Sequence, residues 1–376
     1  MLVRVPSNTE NFEVRDLKSA SSSDFVESWR ALSKNTLVPN PFWEPGFCLP
    51  AIEHLASEDV KLAVQNCGNS VVAIAPFTIE RIGEVGPKVC RLWAHDYLPI
   101  GSPLVAQDCP GALIALLSDL NHKTNLPVLA PLLEAPITNH LKNNWDGYIK
   151  LISTDKRAAI VSNETAENYR KLYFSKQRRA GLDRRFRRLQ EATSQIGDLS
   201  IEMAREPYSV AFELERFLNL EHVGWKGKAK TSLLSNKHDA EFIRTAVGEM
   251  SRRESTAIAT LKAGDKLIAS LILLVNGNSF YSWKTAFDES FSQYSPGVQL
   301  LARFADPIRS EGKPFRLDSC SSPDNTLANV LMNERLRATT LVLHNKPNSL
   351  QAQAAAHTLK TLMVARQTVK SILNGS

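Results

Sequence analysis

The pattern of apolar and polar positions is sharpest between Ala263 and Gly312. From Leu267 to Val275 only Ser270 breaks the apolar run, which predicts a strand buried on both faces. Gly264-Asp265-Lys266 before it and Asn276-Gly277-Asn278 after it are hairpin-turn signals. Ser279 to Ala286 is aromatic and alternating, and reads as the return strand. A polar loop through Asp288 and Tyr294 then reaches Ser295-Pro296-Gly297. Here Ser295 is expected as N-cap and Pro296 as first residue of a helix that Glu311-Gly312 ends. A strand feeding a loop and a helix N-terminus makes a corner suited to an anion.

A fainter version of this block lies upstream. Val60 to Val64 and Ser70 to Ile79 predict a hairpin, Val89 to Trp93 a third strand, and Gly111 to His122 a helix. The step from Gly68 to Ser102 is close in length to that from Gly264 to Ser295, and each joins a strand turn to Ser-Pro. Such repetition predicts two tandem copies of one α/β fold, in 1–150 and 151–345, with a C-terminal helix in 346–376. Asp24 to Lys34 is a predicted helix with Asp24 as N-cap, and Ser209 to His222 another, with Phe212, Leu214, Phe217, Leu218 and Val223 inward and Glu213 and Glu221 on other faces. Phe315 to Cys320 and Ala338 to His344 read as strands, with Thr326 to Leu336 helical between them. Leu350 to Leu373 carries an apolar stripe that includes Val369, Ile372 and Leu373.

Composition narrows the class. At 376 residues with 43% hydrophobic and 22% charged, the chain is ordinary globular material for two domains. MLVRVPSNTE turns polar before any apolar run, unlike a signal peptide, and no stretch reaches the length of a membrane span. The 5 cysteines have no C-x-x-C pair, which predicts reduced thiols, a cytoplasmic setting and no metal site. The net charge of +6 is concentrated: nine basic residues between Arg170 and Gln190, Arg184 and Arg185 among them, face the single acid Asp183. Two readings stand open, solvated helices with arginine stems on a core, or a cradle for phosphates.

Phe280 to Asp288, Tyr294 to Gly297 and Phe315 to Asp318, with Glu221-His222-Val223-Gly224-Trp225-Lys226-Gly227 upstream, resemble the CelD-type acetyltransferase-like proteins found near exopolysaccharide and cellulose biosynthesis. That group belongs to the GNAT superfamily and is similar in layout to the Fem peptidyltransferases. The resemblance implies tandem GNAT-like domains, α/β (α+β) in class, each a mixed, mostly antiparallel sheet flanked by helices. It implies an acyltransferase acting in the cytoplasm, with acyl-CoA as co-substrate and an amine or hydroxyl of an envelope or polysaccharide precursor as acceptor. The alternatives are a non-catalytic binding module of the same fold and an aminoacyl-tRNA-dependent, Fem-like transferase, the one case with a nucleic-acid partner. Two departures from the family pattern are visible. Lys230 stands where a second glycine is usual, and Gln293 to Gly297 keeps only part of the pyrophosphate loop.

Acyl transfer needs a polarised carbonyl, a base for the acceptor and an acid for the leaving group. Asp288 and Glu221 are the candidate bases, and Tyr281 and Tyr294 the candidate acids. Backbone N–H groups of Leu267 to Val275 are expected at the acyl carbonyl. Ser295, Gly297, Lys284, Trp225, Lys226, Arg184 and Arg185 are candidates for the donor, and Asp318 and Trp283 for the acceptor. Each also has a plain structural reading: Asp288 as a turn residue, Tyr281 as a core aromatic, Asp318 as a cap.

Overall fold

The computed structural model describes residues 10–310 and 312–374. Its strands in chain order begin with β1 (Glu10–Arg15), β2 (Lys61–Cys67), β3 (Ser70–Arg81), β4 (Lys88–Leu92), β5 (Leu104–Val105), β6 (Val128–Glu134) and β7 (Tyr148–Ser162). They continue with β8 (Leu199–Ala204), β9 (Thr256–Ala263), β10 (Lys266–Asn276), β11 (Ser279–Phe287), β12 (Phe315–Asp318) and β13 (Glu334–His344). The chain divides into two compact units. One takes in the chain up to Pro45, Ala56–Asp155 and the chain from Arg337 on; the other comprises Gly46–Leu55 and Lys156–Leu336.

Each unit is a mixed, mostly antiparallel sheet flanked by helices. In the first the order is β1-β2-β3-β4-β6-β13, antiparallel at every step except β4 to β6. In the second it is β8-β9-β10-β11-β12-β7, antiparallel except β11 to β12. Strand order and sense are therefore the same in both. The last strand of each comes from elsewhere in the chain. β7 follows the helix Ala135–Asn144 yet its far end pairs with β12, and β13 follows the helix Thr326–Leu331 yet pairs with β6.

The opening block forms as its pattern demands. β10 is buried from Leu267 to Val275, and the turn to β11 closes on Gly277 at φ 56°, a left-handed conformation that glycine adopts without steric cost. Pro296–Arg303 is the helix after Pro296, and it stops well before Gly312; Glu311 lies outside the described residues. The polar loop before it is a 3₁₀ turn, Glu289–Tyr294. The helix predicted at Asp24 is capped two residues earlier, at Ser22. β6, β8 and β9 are elements the pattern did not predict. The helix from Thr326 ends at Leu331, and β13 starts at Glu334. Of the C-terminal helix Leu350–Asn374, Ala352, Ala355 and Ala356 pack with Val342, Leu129 and Val89. The side chains of Val369, Ile372 and Leu373 lie outside the described residues. Among the described residues no helix is long and apolar enough to cross a membrane.

The helix Pro207–Val223 turns a different face inward from the one its apolar residues suggest. Leu214, Phe217 and Leu218 are buried, but Phe212 is 57% and Val223 71% exposed. Glu213 and Glu221 occupy the buried face because each has a cation: Glu213 pairs with Arg216 and Lys262, Glu221 with Lys226. A carboxylate so neutralised enters a core that an unpaired one would not.

The borrowed strand makes a testable claim. In β13, Leu341, Val342 and Leu343 are fully buried, each contributing about 1.5–3 kcal/mol. Truncation after Leu336 should therefore remove hydrogen-exchange protection from β2, β3, β4 and β6 while β9, β10 and β11 keep theirs. Undiminished protection in the first unit would show that it closes without β13.

Candidate active site

β11 and β12 run together for only three residue pairs, Ser279 with Arg316, Phe280 with Leu317 and Tyr281 with Asp318. Beyond Tyr281 the backbone of β11 keeps its partner β10 on one edge and has no described strand partner on the other. At the same place the register slips. Leu273 faces Ser282 and Ile272 faces Lys284, so Trp283 is an extra residue, a bulge in β11. Its indole is buried edge-on against Phe47 and Phe242, with Lys284 Nζ 5.6 Å from the ring centre. Trp283 therefore anchors the bulge in the core. The backbone expected at the acyl carbonyl, Leu267 to Val275, is not open: β10 is laddered to β9 and to β11, so its N–H groups are used. The open backbone belongs to β11.

The free end of β11 forms one wall of a groove. Thr285, Ala286, Phe287 and Glu289 face Leu220, Glu221, Gly224, Trp225 and Lys226, and the groove continues past Val223, Lys228 and Asp288. The second wall is the turn at the end of Pro207–Val223. A Cβ on Gly227 would lie 1.6 Å from the His222 carbonyl oxygen, so only glycine fits that approach. Glu289 ties the walls together, since its carboxylate accepts the Trp225 backbone N–H and pairs with Lys228 at 3.0 Å. Glu221, 4% exposed, accepts Lys226 Nζ at 2.6 Å and the Leu233 N–H at 2.8 Å. Trp225 is 58% exposed. Lys230 has φ 58°, a left-handed conformation that strains an L side chain and that glycine adopts freely.

Asp288 lies at the groove's mouth as the cap of the 3₁₀ turn. Its Oδ1 accepts the N–H and hydroxyl of Ser290, and Oδ2 pairs with Lys266 at 3.1 Å. Burial pushes its carboxyl up, but those hydrogen bonds and the Lys266 charge outweigh it and hold the group below its ordinary range. Ser295 does not act as a side-chain cap: it is left-handed, φ 55°, and its hydroxyl makes no capping bond to the helix. Gly297 packs behind the groove, where a Cβ would meet Thr285 at 3.4 Å and Phe287 at 3.6 Å. Tyr294 is partly buried against the core of this unit.

Three expectations fall elsewhere. Asp318 is fully buried; Arg157 meets both its oxygens, at 3.2 and 2.9 Å, Arg316 stands 3.7 Å away, and the Cys320 N–H donates to Oδ1. Both oxygens are engaged, leaving no room for an acceptor amine. Burial pushes this carboxyl up, yet Arg157, with Arg316 added, holds it low. Tyr281 is fully buried beside it, with the Arg316 guanidinium over its ring at 5.8 Å. Arg184 and Arg185 sit on the helix Lys176–Thr193, Arg184 exposed and Arg185 half-buried. Neither lines the groove. Sequence reasoning missed Glu289, adjacent to a residue it singled out, and Arg157, which nothing in the sequence connects to Asp318.

Residues 176–320 match the model of the acetyltransferase (GNAT) domain. No curated relative matches it. Among solved structures it is similar to FemX, at 9% identity and TM-score 0.53, covering 85% of this chain and 96% of that one. It is also similar to the C-terminal domain of a putative lysylphosphatidylglycerol synthetase from Agrobacterium fabrum, at 11% identity and TM-score 0.52, over 90% and 96%. A conserved protein of unknown function from Bacteroides thetaiotaomicron VPI-5482 gives 12% identity and TM-score 0.55, over 89% and 100%. At such identities these likenesses speak for the fold alone.

Two stability measurements follow. Asp318→Asn leaves Arg157 buried without its counter-charge and should cost about 3–5 kcal/mol in urea unfolding. Because the folded carboxyl is held below its unfolded value, the contribution is complete above about pH 4 and drains away as pH falls through the lowered value. A loss under about 1 kcal/mol would refute this account. Lys230→Gly should instead stabilise, by about 0.5–1 kcal/mol, since relief of left-handed strain exceeds the added chain entropy. A destabilised Lys230→Gly protein would show that the lysine side chain makes a contact outweighing the strain.

Proposed function

We propose that the chain is an acyltransferase that seats an activated acyl donor, acyl-CoA first among candidates, along the open end of β11. The acyl group passes to an amine or hydroxyl in the groove beneath Trp225. The observation that carries the reading is the parting of β11 from β12 after Tyr281, beside a bulge, within the segment that matches the GNAT domain. An unpaired strand edge offers fixed N–H donors to a carbonyl, which is the stabilisation a tetrahedral intermediate requires.

The acceptor nitrogen or oxygen attacks the thioester carbon, the C–S bond breaks, and the acceptor loses a proton while the thiolate leaves. Glu221 is assigned the proton. It is the groove carboxylate set on a regular helix, and the Lys226 ammonium beside it balances its charge before the proton arrives. Asp288 is less suited to that task, because a carboxyl held low by Ser290 and Lys266 is a weak proton acceptor near neutrality. Glu289 is assigned to holding the groove closed through Trp225 and Lys228. The motifs shared with CelD-type proteins support an envelope or polysaccharide precursor as acceptor.

Release of free CoA thiol from acetyl-CoA, in the presence of amino sugars and other amine or hydroxyl acceptors, tests the reading. Glu221→Gln should lower turnover by roughly 10²-fold while leaving donor binding in place. Asp288→Asn should cost far less. The reverse ranking would move the proton to Asp288. Transfer from aminoacyl-tRNA, with no acetyl-CoA binding in calorimetry, would replace the thioester donor.

A further inference from the structure

A cavity of about 520 Å³ in the second unit shares no residue with the groove. Its walls are the end of the helix Ala166–Tyr173, the start of Lys176–Thr193 and the end of Pro296–Arg303. Five cations line it: Arg170, Lys171, Lys176, Arg179 and Arg303. Three are answered. Lys171 pairs with Glu167 at 2.6 Å, Arg303 with Asp183 at 3.0 Å and Arg170 with Asp306 at 2.8 Å. Lys176 and Arg179 have no carboxylate partner among the described residues, and the Arg179 Nε is buried without a hydrogen bond.

Lys176 is exposed and Arg179 half-buried, so both cations stand on the open side of the concavity, where a ligand of about two negative charges can meet them together. A guanidinium fork beside an ammonium suits phosphate oxygens, and both sit in the first turn of an 18-residue helix, where the dipole also favours an anion. The volume is that of a small-molecule site. We propose that this cavity binds the phosphate monoester or pyrophosphate group of a small ligand through Lys176 and Arg179. The helix Pro296–Arg303 spans from the back of the groove, at Gly297, to this cavity, at Arg303, a rise of roughly 9 Å. A ligand here would therefore bear on the element that supports β11.

Calorimetry of the full chain with pyrophosphate, at low and at raised salt, tests the assignment. The wild type should bind, more weakly as salt rises. Lys176→Gln and Arg179→Gln should each weaken binding about tenfold or more. Arg188→Gln removes the same charge from an exposed position on the same helix and should leave binding within about twofold. Glu221→Gln should also leave it unchanged, which separates this result from the fate of the groove reading. Uridine diphosphate, adenosine 3′,5′-bisphosphate and a short single-stranded RNA then identify the source. Tighter binding of either nucleotide than of the RNA supports the cavity. RNA that outcompetes both and is weakened equally by Arg188→Gln would overturn it in favour of a basic surface. A wild type that ignores pyrophosphate, or binds it regardless of Lys176 and Arg179, would overturn it as well.

Discussion

The ion pair between Arg157 and Asp318 is made out of reach of water, and much of the second unit is set by it. Burying two charges is expensive, so such a pair persists only where its geometry is fixed and each oxygen and N–H is engaged. Arg157 lies on β7 and Asp318 on β12, a strand of only four residues whose ladder offers few other means of holding its register. A slip of one residue would turn Asp318 to the opposite face and leave the arginine in the core without an answer. The pair therefore locks β12 against β7. It also fixes the point at which β12 leaves β11, since Asp318 is the last residue paired, opposite Tyr281.

The groove follows from that parting and from a second constraint on the other wall. β11 presents its backbone past Tyr281 because β12 is held elsewhere, and the bulge at Trp283, pinned between Phe47 and Phe242, sets which way the strand then faces. Opposite it, the turn Gly224 to Gly227 folds so tightly on His222 that its path allows no side chain at Gly227. Glu289 then bonds to that turn from the β11 side. Charge is handled in the same economical way across the unit. Glu213, Glu221 and Asp318 enter buried positions, each with its cation, whereas Lys176 and Arg179 face a cavity with none.

Local chemistry wrote much of this in the sequence. The run Leu267 to Val275, the Asn-Gly turn and the aromatic alternation after it determine the β10–β11 hairpin, because burial pattern and turn residues agree there. The spacing repeated between the two halves corresponds to the hairpins β2–β3 and β9–β10, which hold the same place in both sheets. The motifs Glu221 to Gly227 and Phe280 to Asp288 mark the two walls of the groove, and the nine cations after Tyr169 mark the helices around the basic cavity. Tertiary structure decided what depends on partners distant in sequence. The apolar residues of Pro207–Val223 pointed to Phe212 and Val223 as core, but pairing with Lys262 and Lys226 let Glu213 and Glu221 take the inward face instead. Asp318 reads as an acceptor contact or a cap until Arg157, 161 residues earlier, is brought beside it. Even the last strand of each unit is supplied from the other half of the chain, since strand pairing rewards a matching edge wherever in the sequence it arises, and no local pattern records which edge that will be.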